Sequence, residues 1–297
     1  MSARPKIAKA IIPAAGFGTR MLPATKAIPK EMLPVAGKPL IQYAVEEAAA
    51  AGVKTVILVI RKHKSLIQAH FARDLVLESL LRDRQLEAVA GLVRSLSEMA
   101  HLQYVEQEKP LGLAHAISCA QSLVGDEPFV VLLPDVVIVH EESVTSQLIR
   151  AHERLGGSIV AIREVEAQDV KHHGIVQVER PIVLSFDETA RIIGLVEKPS
   201  LLEAPSRFGV FGRYLLTPGI WHAISQTIPD ARGEVQLTDA LNLLCQASLV
   251  SGLCFEGRHY DAGDRVGYLR ANLDLTLRDP QFRQPVLDFL AFSDLPH

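Results

Sequence analysis

An alternation of short apolar runs with helix-like segments constrains the fold of this chain more than any other feature of its sequence. Each run has the length and composition of a buried β-strand. The runs are Ile7–Ile12, Thr55–Ile60, Leu102–Val105, Phe129–Leu133 and Ile159–Ile162. Because parallel strands need long crossover connections, which are usually helices, the alternation predicts an α/β fold with a mostly parallel sheet covered on both faces.

The segments between these runs predict the helices of the fold. Residues Leu40–Ala51 repeat apolar side chains at helical spacing and end at Gly52, and Ala114–Leu123 form a second predicted helix. Residues 65–100 carry many leucines, which predicts an excursion of one or two amphipathic helices packed on the domain. Residues 265–297 predict a helical C-terminal segment.

The second half of the chain adds shorter predicted strands. They lie near Gly174–Val178, Ile192–Val196, Val210–Leu216 and Leu253–Phe255. The sequence has no internal repeat, no low-complexity tract and no Gly/Ser linker. We therefore expect a single domain over residues 1–297, with additional sheet in its second half.

The composition limits the partners of the chain. It is 48% hydrophobic and 22% charged with a net charge of −3, which argues against a general nucleic-acid or membrane surface. The first residues show no signal peptide, and no run reaches the roughly 18 apolar residues of a membrane helix. Its three cysteines lack metal spacing, which favours reduced thiols and a cytoplasmic location. We also expect a homo-oligomer, either a dimer or a tetramer.

A glycine loop follows the first predicted strand and is rich in positive charge. The loop is Gly16-Phe17-Gly18-Thr19-Arg20, and three lysines follow it before residue 39, against the single acid Glu31. Glycines let backbone N–H groups approach an anion closely, and basic side chains neutralise it. The loop lacks the third glycine of a dinucleotide fingerprint and the Gly-Lys-Ser/Thr of a Walker A loop. The pattern predicts a polyphosphate site of another kind.

The run from Gly18 to Pro34 carries a family resemblance. Its sequence, Gly-Thr-Arg-Met-Leu-Pro-Ala-Thr-Lys-Ala-Ile-Pro-Lys-Glu-Met-Leu-Pro, resembles the signature of the sugar-1-phosphate nucleotidyltransferases, in the form of their bacterial uridylyltransferases. The resemblance extends from about Lys6 to about Leu269. It implies a Rossmann-like, mixed and mostly parallel sheet, and a Mg²⁺-dependent transfer of UMP from UTP to glucose 1-phosphate.

The same resemblance implies which residues hold the nucleotide. Arg20 and Lys30 would be catalytic, holding the phosphates. Gln107 lies in the segment Gln-Glu-Lys-Pro-Leu-Gly-Leu-Ala-His, where its amide could pair with the edge of uracil. The implied nucleotide-binding residues are Ala14, Ala15, Gly16, Gly18, Thr19, Gln107 and Gly112. A helical histidine such as His115 is more often a packing residue, and we assign it no chemistry.

Two aspartates are implied as metal ligands. Asp135 ends the apolar strand Phe129–Leu133 after Pro134, and Asp261 matches an Asp-x-Gly element of the family. Alone, either acid is more often a structural cap of a turn. Together they offer the hard oxygen ligands that Mg²⁺ takes alongside substrate phosphates.

The sugar phosphate is implied to bind in the second half. In the segment Val-Glu197-Lys198-Pro, the lysine would be catalytic and contact the phosphate, while the glutamate would bind sugar hydroxyls. The implied sugar-phosphate residues are Gly174, Glu197, Lys198 and Val210. His173 stands where tyrosine is usual and Arg207 where asparagine is usual, and Arg207 is expected to turn toward solvent.

Other interpretations stay open at the level of sequence. Thr238 or Asp239 is the expected N-cap of a following helix. The chain could be a sister enzyme with another base or sugar, such as a thymidylyltransferase, which nucleotide competition would reveal. It could also be a non-catalytic regulatory paralogue, although such a protein would be expected to have lost the loop arginine or a metal acid.

Overall fold

The computed structural model describes residues 6–62, 65–180 and 183–292 of the chain. Nine strands of these ranges form one mixed sheet in the order β5-β4-β1-β6-β11-β8-β12-β10-β9, and β7 with β13 and β2 with β3 form two small antiparallel sheets. The strands are β1 Lys9–Pro13, β2 Pro34–Val35, β3 Lys38–Pro39, β4 Thr55–Ile60, β5 His101–Glu106, β6 Phe129–Leu132, β7 Val136–Val139, β8 Ser158–Glu164, β9 Gly174–Val178, β10 Thr189–Glu197, β11 Phe208–Leu216, β12 Val250–Cys254 and β13 Arg258–Asp261.

Helices cover both faces of the large sheet, as the sequence predicts. Ala10 and Ile12 of β1 pack in one core cluster with Ala44 of the first helix, whereas Ile11 packs in the other with Ile117 of the fifth. The helices are α1 Leu40–Ala50, α2 Ser65–Phe71, α3 Leu75–Asp83, α4 Glu87–Glu98, α5 Leu113–Ser118, α6 Gln121–Val124, α7 Val144–Leu155, α8 Gly219–Gln226, α9 Leu237–Ala247, α10 Arg265–Arg278 and α11 Pro280–Phe292. Because alternate side chains of a strand point to opposite faces of the sheet, one apolar strand contributes side chains to the cores on both faces.

The mixed α/β class is confirmed, and the parallel and antiparallel strand pairs occupy different parts of the sheet. Neighbours along β5-β4-β1-β6 are parallel, as are β8 and β12. Strand β11 is antiparallel to both β6 and β8, and β10 is antiparallel to β12 and β9. The continuous block of parallel strands, β5-β4-β1-β6, therefore belongs to the first half of the chain, whereas the second half contributes the parallel pair of β8 and β12.

Three predicted helical segments are divided in the structure. The stretch 65–100 forms three helices: Asp74 caps α3 by accepting the Leu77 N–H, and Gln85 takes a positive φ of 60° before α4. The segment Ala114–Leu123 breaks after Ser118, where the Ala120 N–H bonds to the Ile117 carbonyl in a tighter turn. The C-terminal segment divides before Pro280, which has no N–H to continue α10.

No helix within the described ranges is both long and apolar enough to cross a lipid bilayer. Many exposed large apolar side chains lie on α3, α4, α10 and α11. Residues 293–297 of the expected C-terminal segment lie outside the described residues. The expectations of one domain and of a homo-oligomer remain predictions.

Candidate active site

The glycine loop wraps around the stem of Lys30. A Cβ built on Gly16 would lie 3.8 Å from Lys30 Cε, and one on Gly18 would lie 3.0 Å from Lys30 Cβ. Gly18 also has a φ of +67°, which glycine adopts without strain. The Thr25 hydroxyl donates to the Gly18 carbonyl at 2.8 Å. The loop is therefore shaped around one lysine, while Gly16, Thr19 and Arg20 stay exposed.

Lys30 forms an ion pair with Asp135 across the site. The Nζ–Oδ2 distance is 2.5 Å, and the side chains are only 19% and 15% exposed. Burial by itself would raise the pKa of Asp135, but the charge and hydrogen bond of Lys30, together with the Arg20 charge, hold that pKa below its usual value. Burial likewise would lower the pKa of Lys30, but the charge and hydrogen bond of Asp135, together with the Glu31 charge, raise it. Both groups are therefore charged at neutral pH.

Asp135 and Asp261 meet through strand pairing. Strand β7 begins directly after Asp135, and Val136 is the register partner of Asp261 at the end of β13. The Ala262 N–H also donates to the Asp135 carbonyl at 2.8 Å. Asp135 follows the end of β6 by three residues, so the turn at the carboxyl end of a buried strand brings two distant acids together.

Arg20 joins the two carboxylates around Gly263. A Cβ built there would lie 2.7 Å from Arg20 Nη2, 2.9 Å from Asp135 Oδ2 and 2.9 Å from Asp261 Oδ1. Partial loss of hydration, and then the Asp135 charge, raise the pKa of Asp261. The Asp261 side chain nevertheless remains exposed to solvent. Gly263 thus leaves open a small space between one guanidinium and two acids.

This space suits a divalent cation. Two carboxylate oxygens face one point, and their mutual repulsion is of the kind that a cation relieves. Within residues 6–62, 65–180 and 183–292, no three His, Cys, Asp or Glu side chains are arranged to hold a metal. A cation here would therefore take its remaining ligands from water and from phosphate, as Mg²⁺ commonly does.

A cavity of about 610 Å³ extends from the two acids toward the second half of the chain. The predicted residues that line it are Arg20, Asp135, Gly174, Glu197, Lys198, Val210 and Asp261. Lys30 reaches this group through its pair with Asp135. Residues from β1, β6, β9, β10, β11 and β13 or the loops after them thus meet in one space, and their phosphate and sugar roles stay predictions.

Glu197 and Lys198 line the same cavity, and their backbone is restrained. Lys198 has a φ of +45°, and its N–H donates to the His173 carbonyl at 3.1 Å. Its Nζ lies 3.2 Å from Glu197 Oε1, while Thr238 donates to Glu197 Oε2 at 2.6 Å. A left-handed backbone conformation costs free energy at a residue other than glycine, and it persists only where the surrounding structure imposes it. Each carboxylate oxygen of Glu197 therefore has one partner.

Thr238 is a residue whose role the sequence misassigns. Helix α9 begins at Leu237 with Gln236 as its N-cap, so neither Thr238 nor Asp239 caps it, and the prediction was wrong. The Thr238 hydroxyl turns to Glu197 instead and lies 3.1 Å from a Cβ built on Gly174. A hydroxyl in the first turn of a helix looks like a cap in sequence, and only its neighbours reveal another partner.

Gln107 and Gly112 lie next to each other, outside the set that lines this cavity. The buried Gln107 donates from Nε2 to the Gly112 carbonyl at 3.2 Å and contacts His115 Nδ1 at 2.9 Å. Gly112 has a φ of +95°, and a Cβ on it would lie 2.6 Å from the Val235 carbonyl. The absence of a side chain at Gly112 thus allows the Val235 backbone to approach closely. The contact with His115 fixes the orientation of the Gln107 amide.

The two departures from the family pattern occupy different positions. The His173 ring lines the cavity, lies 4.9 Å from the Phe211 ring and places Nδ1 3.4 Å from the Val210 carbonyl. Burial lowers the pKa of His173. Arg207 is half exposed, as expected, and forms an ion pair with Glu164 on the neighbouring strand. Only His173 can therefore bear on what the cavity holds.

The class of protein follows from comparison with known families. The sequence model described as nucleotidyl transferase matches residues 9–278. The chain belongs to this family and is a nucleotidyltransferase.

Individual relatives are more specific. UTP–glucose-1-phosphate uridylyltransferase 2 of Staphylococcus saprophyticus is 41% identical over 285 residues, which are 96% of this chain and 97% of the relative. The UTP–glucose-1-phosphate uridylyltransferase YngB of Bacillus subtilis is 40% identical over 97% of this chain and 95% of its own. The resemblance to bacterial uridylyltransferases is thereby confirmed.

Solved structures agree with these relatives. A UTP-bound UGPase from Acinetobacter baumannii superposes with a TM-score of 0.90 at 34% identity, covering 97% of this chain and 99% of the other. A UDP-glucose pyrophosphorylase complexed with UDP-glucose gives 0.83 at 36% identity, covering 92% and 100%.

Proposed function

We propose that this protein transfers UMP from UTP to glucose 1-phosphate and releases pyrophosphate. One observation carries the proposal: Arg20, Asp135 and Asp261 converge on the space beside Gly263, and the cavity that they line is also lined by Lys198 and Glu197. A triphosphate and a sugar phosphate need such a pair of adjoining anion sites. The relatives named as uridylyltransferases, similar over almost the whole chain, support uracil and glucose as the particular groups.

The nucleotide half of the proposal uses the glycine loop. Ala14 and Ala15 extend buried β1 toward the loop, and Gly16, Gly18 and Thr19 present backbone N–H groups to the phosphates. Arg20 holds the β and γ phosphates and the leaving pyrophosphate. Lys30 exchanges Asp135 for a phosphate oxygen when the triphosphate enters, which keeps it paired in both states.

The reaction requires no general base. A phosphate monoester is largely dianionic at neutral pH, because its second pKa is about 6. Its oxygen attacks the α-phosphorus of UTP, a new P–O bond forms, and the bond to the β-phosphate oxygen breaks as pyrophosphate leaves. Catalysis is then positioning and charge neutralisation by Arg20, Lys30 and Lys198.

Asp135 and Asp261 are the proposed holders of Mg²⁺. The ion would supply neutralisation of phosphate charge and alignment of the two anions. Without it, the two carboxylates would face the triphosphate with like charge, and Arg20 and Lys30 alone would have to offset them.

The sugar half of the proposal uses a partner exchange at Glu197. Lys198 leaves Glu197 Oε1 for the phosphate of glucose 1-phosphate, and that oxygen becomes available to a sugar hydroxyl. Thr238 keeps the other oxygen fixed throughout. Gly174 and Val210 line the same cavity and complete the proposed sugar contacts.

Base recognition falls to Gln107 in this proposal. Its amide nitrogen is already committed to Gly112 and His115, so the amide oxygen is the group that can face a base. An amide oxygen accepts from the N3–H of uracil or thymine, whereas cytosine has an acceptor at that position. We expect UTP and dTTP to be used to some degree and CTP and purine nucleotides poorly.

Pyrophosphate release tests the proposal directly. The purified protein is assayed with Mg²⁺ against UTP, dTTP, CTP, ATP and GTP, each with the 1-phosphates of glucose, galactose and N-acetylglucosamine. The highest kcat/KM is expected for UTP with glucose 1-phosphate. Higher values for dTTP would identify the sister thymidylyltransferase activity instead. Equal use of ATP and UTP would remove Gln107 from base recognition.

A further inference from the structure

Arg213 is a fully buried arginine directly behind the proposed catalytic centre. It lies on β11, whose neighbouring residues Val210, Phe211, Gly212 and Tyr214 line the cavity. The pairing of β11 with β8 shifts register between Val210 and Tyr214, and Gly212 takes a φ of +64° within that irregular stretch. A bulge of this kind redirects side chains locally. Here the side chain of Arg213 runs to the end of β6.

The guanidinium group joins the two ends of the turn that carries Asp135. Nη1 donates to the Leu133 carbonyl at 2.9 Å, and Nη2 donates to the Val136 carbonyl at 2.8 Å. The turn itself is closed by the Val136 N–H on the Leu133 carbonyl at 3.3 Å, with Pro134 and Asp135 between them. The orientation of the Asp135 backbone is thus fixed from behind by one side chain.

Glu47 of α1 neutralises this arginine and sets its orientation. Arg213 donates from Nε and Nη2 to Glu47 Oε2 at 3.0 and 2.8 Å, and the two side chains are 1% and 8% exposed. Glu47 Oε1 also accepts from the N–H and the hydroxyl of Thr145 at the start of α7. Two helices therefore determine the position of the guanidinium group, independently of the cavity.

The arrangement suits a role in positioning better than one in stability. A buried ion pair contributes little net stability, because desolvation offsets the attraction between the charges. A guanidinium spreads five N–H donors over three nitrogens in one plane, and here Nε, Nη1 and Nη2 all donate to the carboxylate or the two carbonyls. An ammonium group has three donors on a single atom and cannot reproduce this fork. The opposite side of the turn holds Ala262 next to Asp261, so a shift of the turn would displace both acids.

We propose that Arg213, held by Glu47, is a positioning residue that fixes the Asp135 turn and thereby the spacing of Asp135, Asp261 and Arg20. The inference rests on the proposed function in one respect, that Asp135 acts in the reaction. It predicts that loss of the guanidinium fork lowers kcat through Asp135, while binding of the sugar phosphate at Glu197 and Lys198 is unaffected.

Two variants separate this role from a structural one. Arg213→Lys keeps a charge for Glu47 but cannot bridge both carbonyls. Glu47→Gln with Arg213→Met removes both charges, leaves no lone buried ion, and retains an acceptor for Thr145. Since small misplacements of catalytic groups can cost about a hundredfold, each is expected to lower kcat about 10- to 100-fold. KM for glucose 1-phosphate should change by less than about twofold.

The control is Glu78→Gln, which disturbs another buried carboxylate held by arginines, between α3 and α4. It should lower the melting temperature without lowering kcat. A second measurement, hydrogen–deuterium exchange, should show faster exchange over residues 133–139 and 260–263 in both Arg213 variants but not in the control. This readout does not depend on turnover.

The decisive comparison repeats Arg213→Lys in an Asp135→Asn background. If Arg213 acts through Asp135, the second substitution should lower kcat little further, since residues that act as a unit are not additive. Wild-type kcat and wild-type exchange in Arg213→Lys would overturn the inference, as would full additivity with Asp135→Asn. If instead wild-type protein fails to release pyrophosphate from UTP and glucose 1-phosphate, the proposed function fails, and the exchange measurement still tests whether Arg213 holds the turn.

Discussion

The two lysines of the site have paired with carboxylates in opposite ways. Lys30 is largely buried against Asp135 at 2.5 Å, under a glycine loop shaped around its stem. Lys198 is 57% exposed and lies 3.2 Å from Glu197, a pair whose members are adjacent in sequence. Exposed pairs contribute little and open readily, whereas a buried ion that loses its partner is costly. The nucleotide end is therefore preorganised, and the sugar end is free to rearrange around its substrate.

This difference ranks the expected effects of substitutions. Changes at the nucleotide end should damage turnover because they disturb a fixed charge arrangement. Changes at the sugar end should mostly alter the use of one substrate. Substitutions at each end therefore test whether the two ends differ in this manner.

The largest effect is expected at the two acids. Asp135→Asn and Asp261→Asn should each reduce kcat by orders of magnitude, because each removes one of the two negative charges proposed to hold the metal. Asp169→Asn serves as the control, since Asp169 lines the same cavity on a different segment. Steady-state kinetics with and without EDTA provide the measurement. Full activity in EDTA, or in either variant, would contradict the metal assignment.

The next effect separates the two ends by kinetic parameter. Arg20→Ala should lower turnover with UTP, and Lys198→Ala should mainly raise KM for glucose 1-phosphate. The loss of one charge-assisted contact to phosphate costs roughly 1.5–3 kcal/mol, or about 10- to 150-fold. Initial rates with each substrate varied in turn will show the split. An unchanged dependence on glucose 1-phosphate in Lys198→Ala would remove this lysine from the sugar-phosphate site.

A smaller effect is expected at His173. Its imidazole Nδ1 contacts the carbonyl of Val210, a residue that lines the cavity of the proposed sugar site. Unlike tyrosine, it supplies no phenol hydroxyl. Wild-type protein should prefer glucose 1-phosphate but discriminate weakly against galactose 1-phosphate, and His173→Tyr should increase the discrimination. Gain or loss of one hydrogen bond to the sugar corresponds to a change of about 10-fold at most in the ratio of kcat/KM. The ratio of kcat/KM for the two epimers is the measurement, and an unaltered ratio would exclude His173.

The smallest effect concerns stability and pH at the nucleotide end. The raised pKa of Asp261 means that its ionisation opposes folding, so Asp261→Asn should slightly raise the melting temperature at pH 7. The gain should be absent below pH 3.8, the ordinary pKa of aspartate, and complete above the folded-state pKa. Asp135→Asn should have the opposite sign, because the lowered pKa of Asp135 reflects a favourable pair that is lost as the pH falls. Calorimetry between pH 3 and pH 8 tests both signs.

The sequence by itself determined the strand–helix alternation, the glycine loop and seven of the residues that line the cavity. These features are local. Apolar runs predict β1, β4 and β6, and the glycines and cations from Gly16 to Lys30 lie within one short stretch of the chain. Helix boundaries were less well predicted, because caps and breaks such as Asp74 and Gln85 act over a few residues.

Only the tertiary structure decided which residues meet. Asp135 and Asp261 lie far apart in the chain and come together through the pairing of β7 with β13, which the sequence analysis did not predict. Thr238 looks like a helix cap until Glu197 is seen beside it, and Arg213 is unremarkable until its fork is seen behind the Asp135 turn. The physical reason is that local pattern encodes propensity and burial, whereas a site depends on contacts between segments whose separation in sequence carries no record of their distance in space.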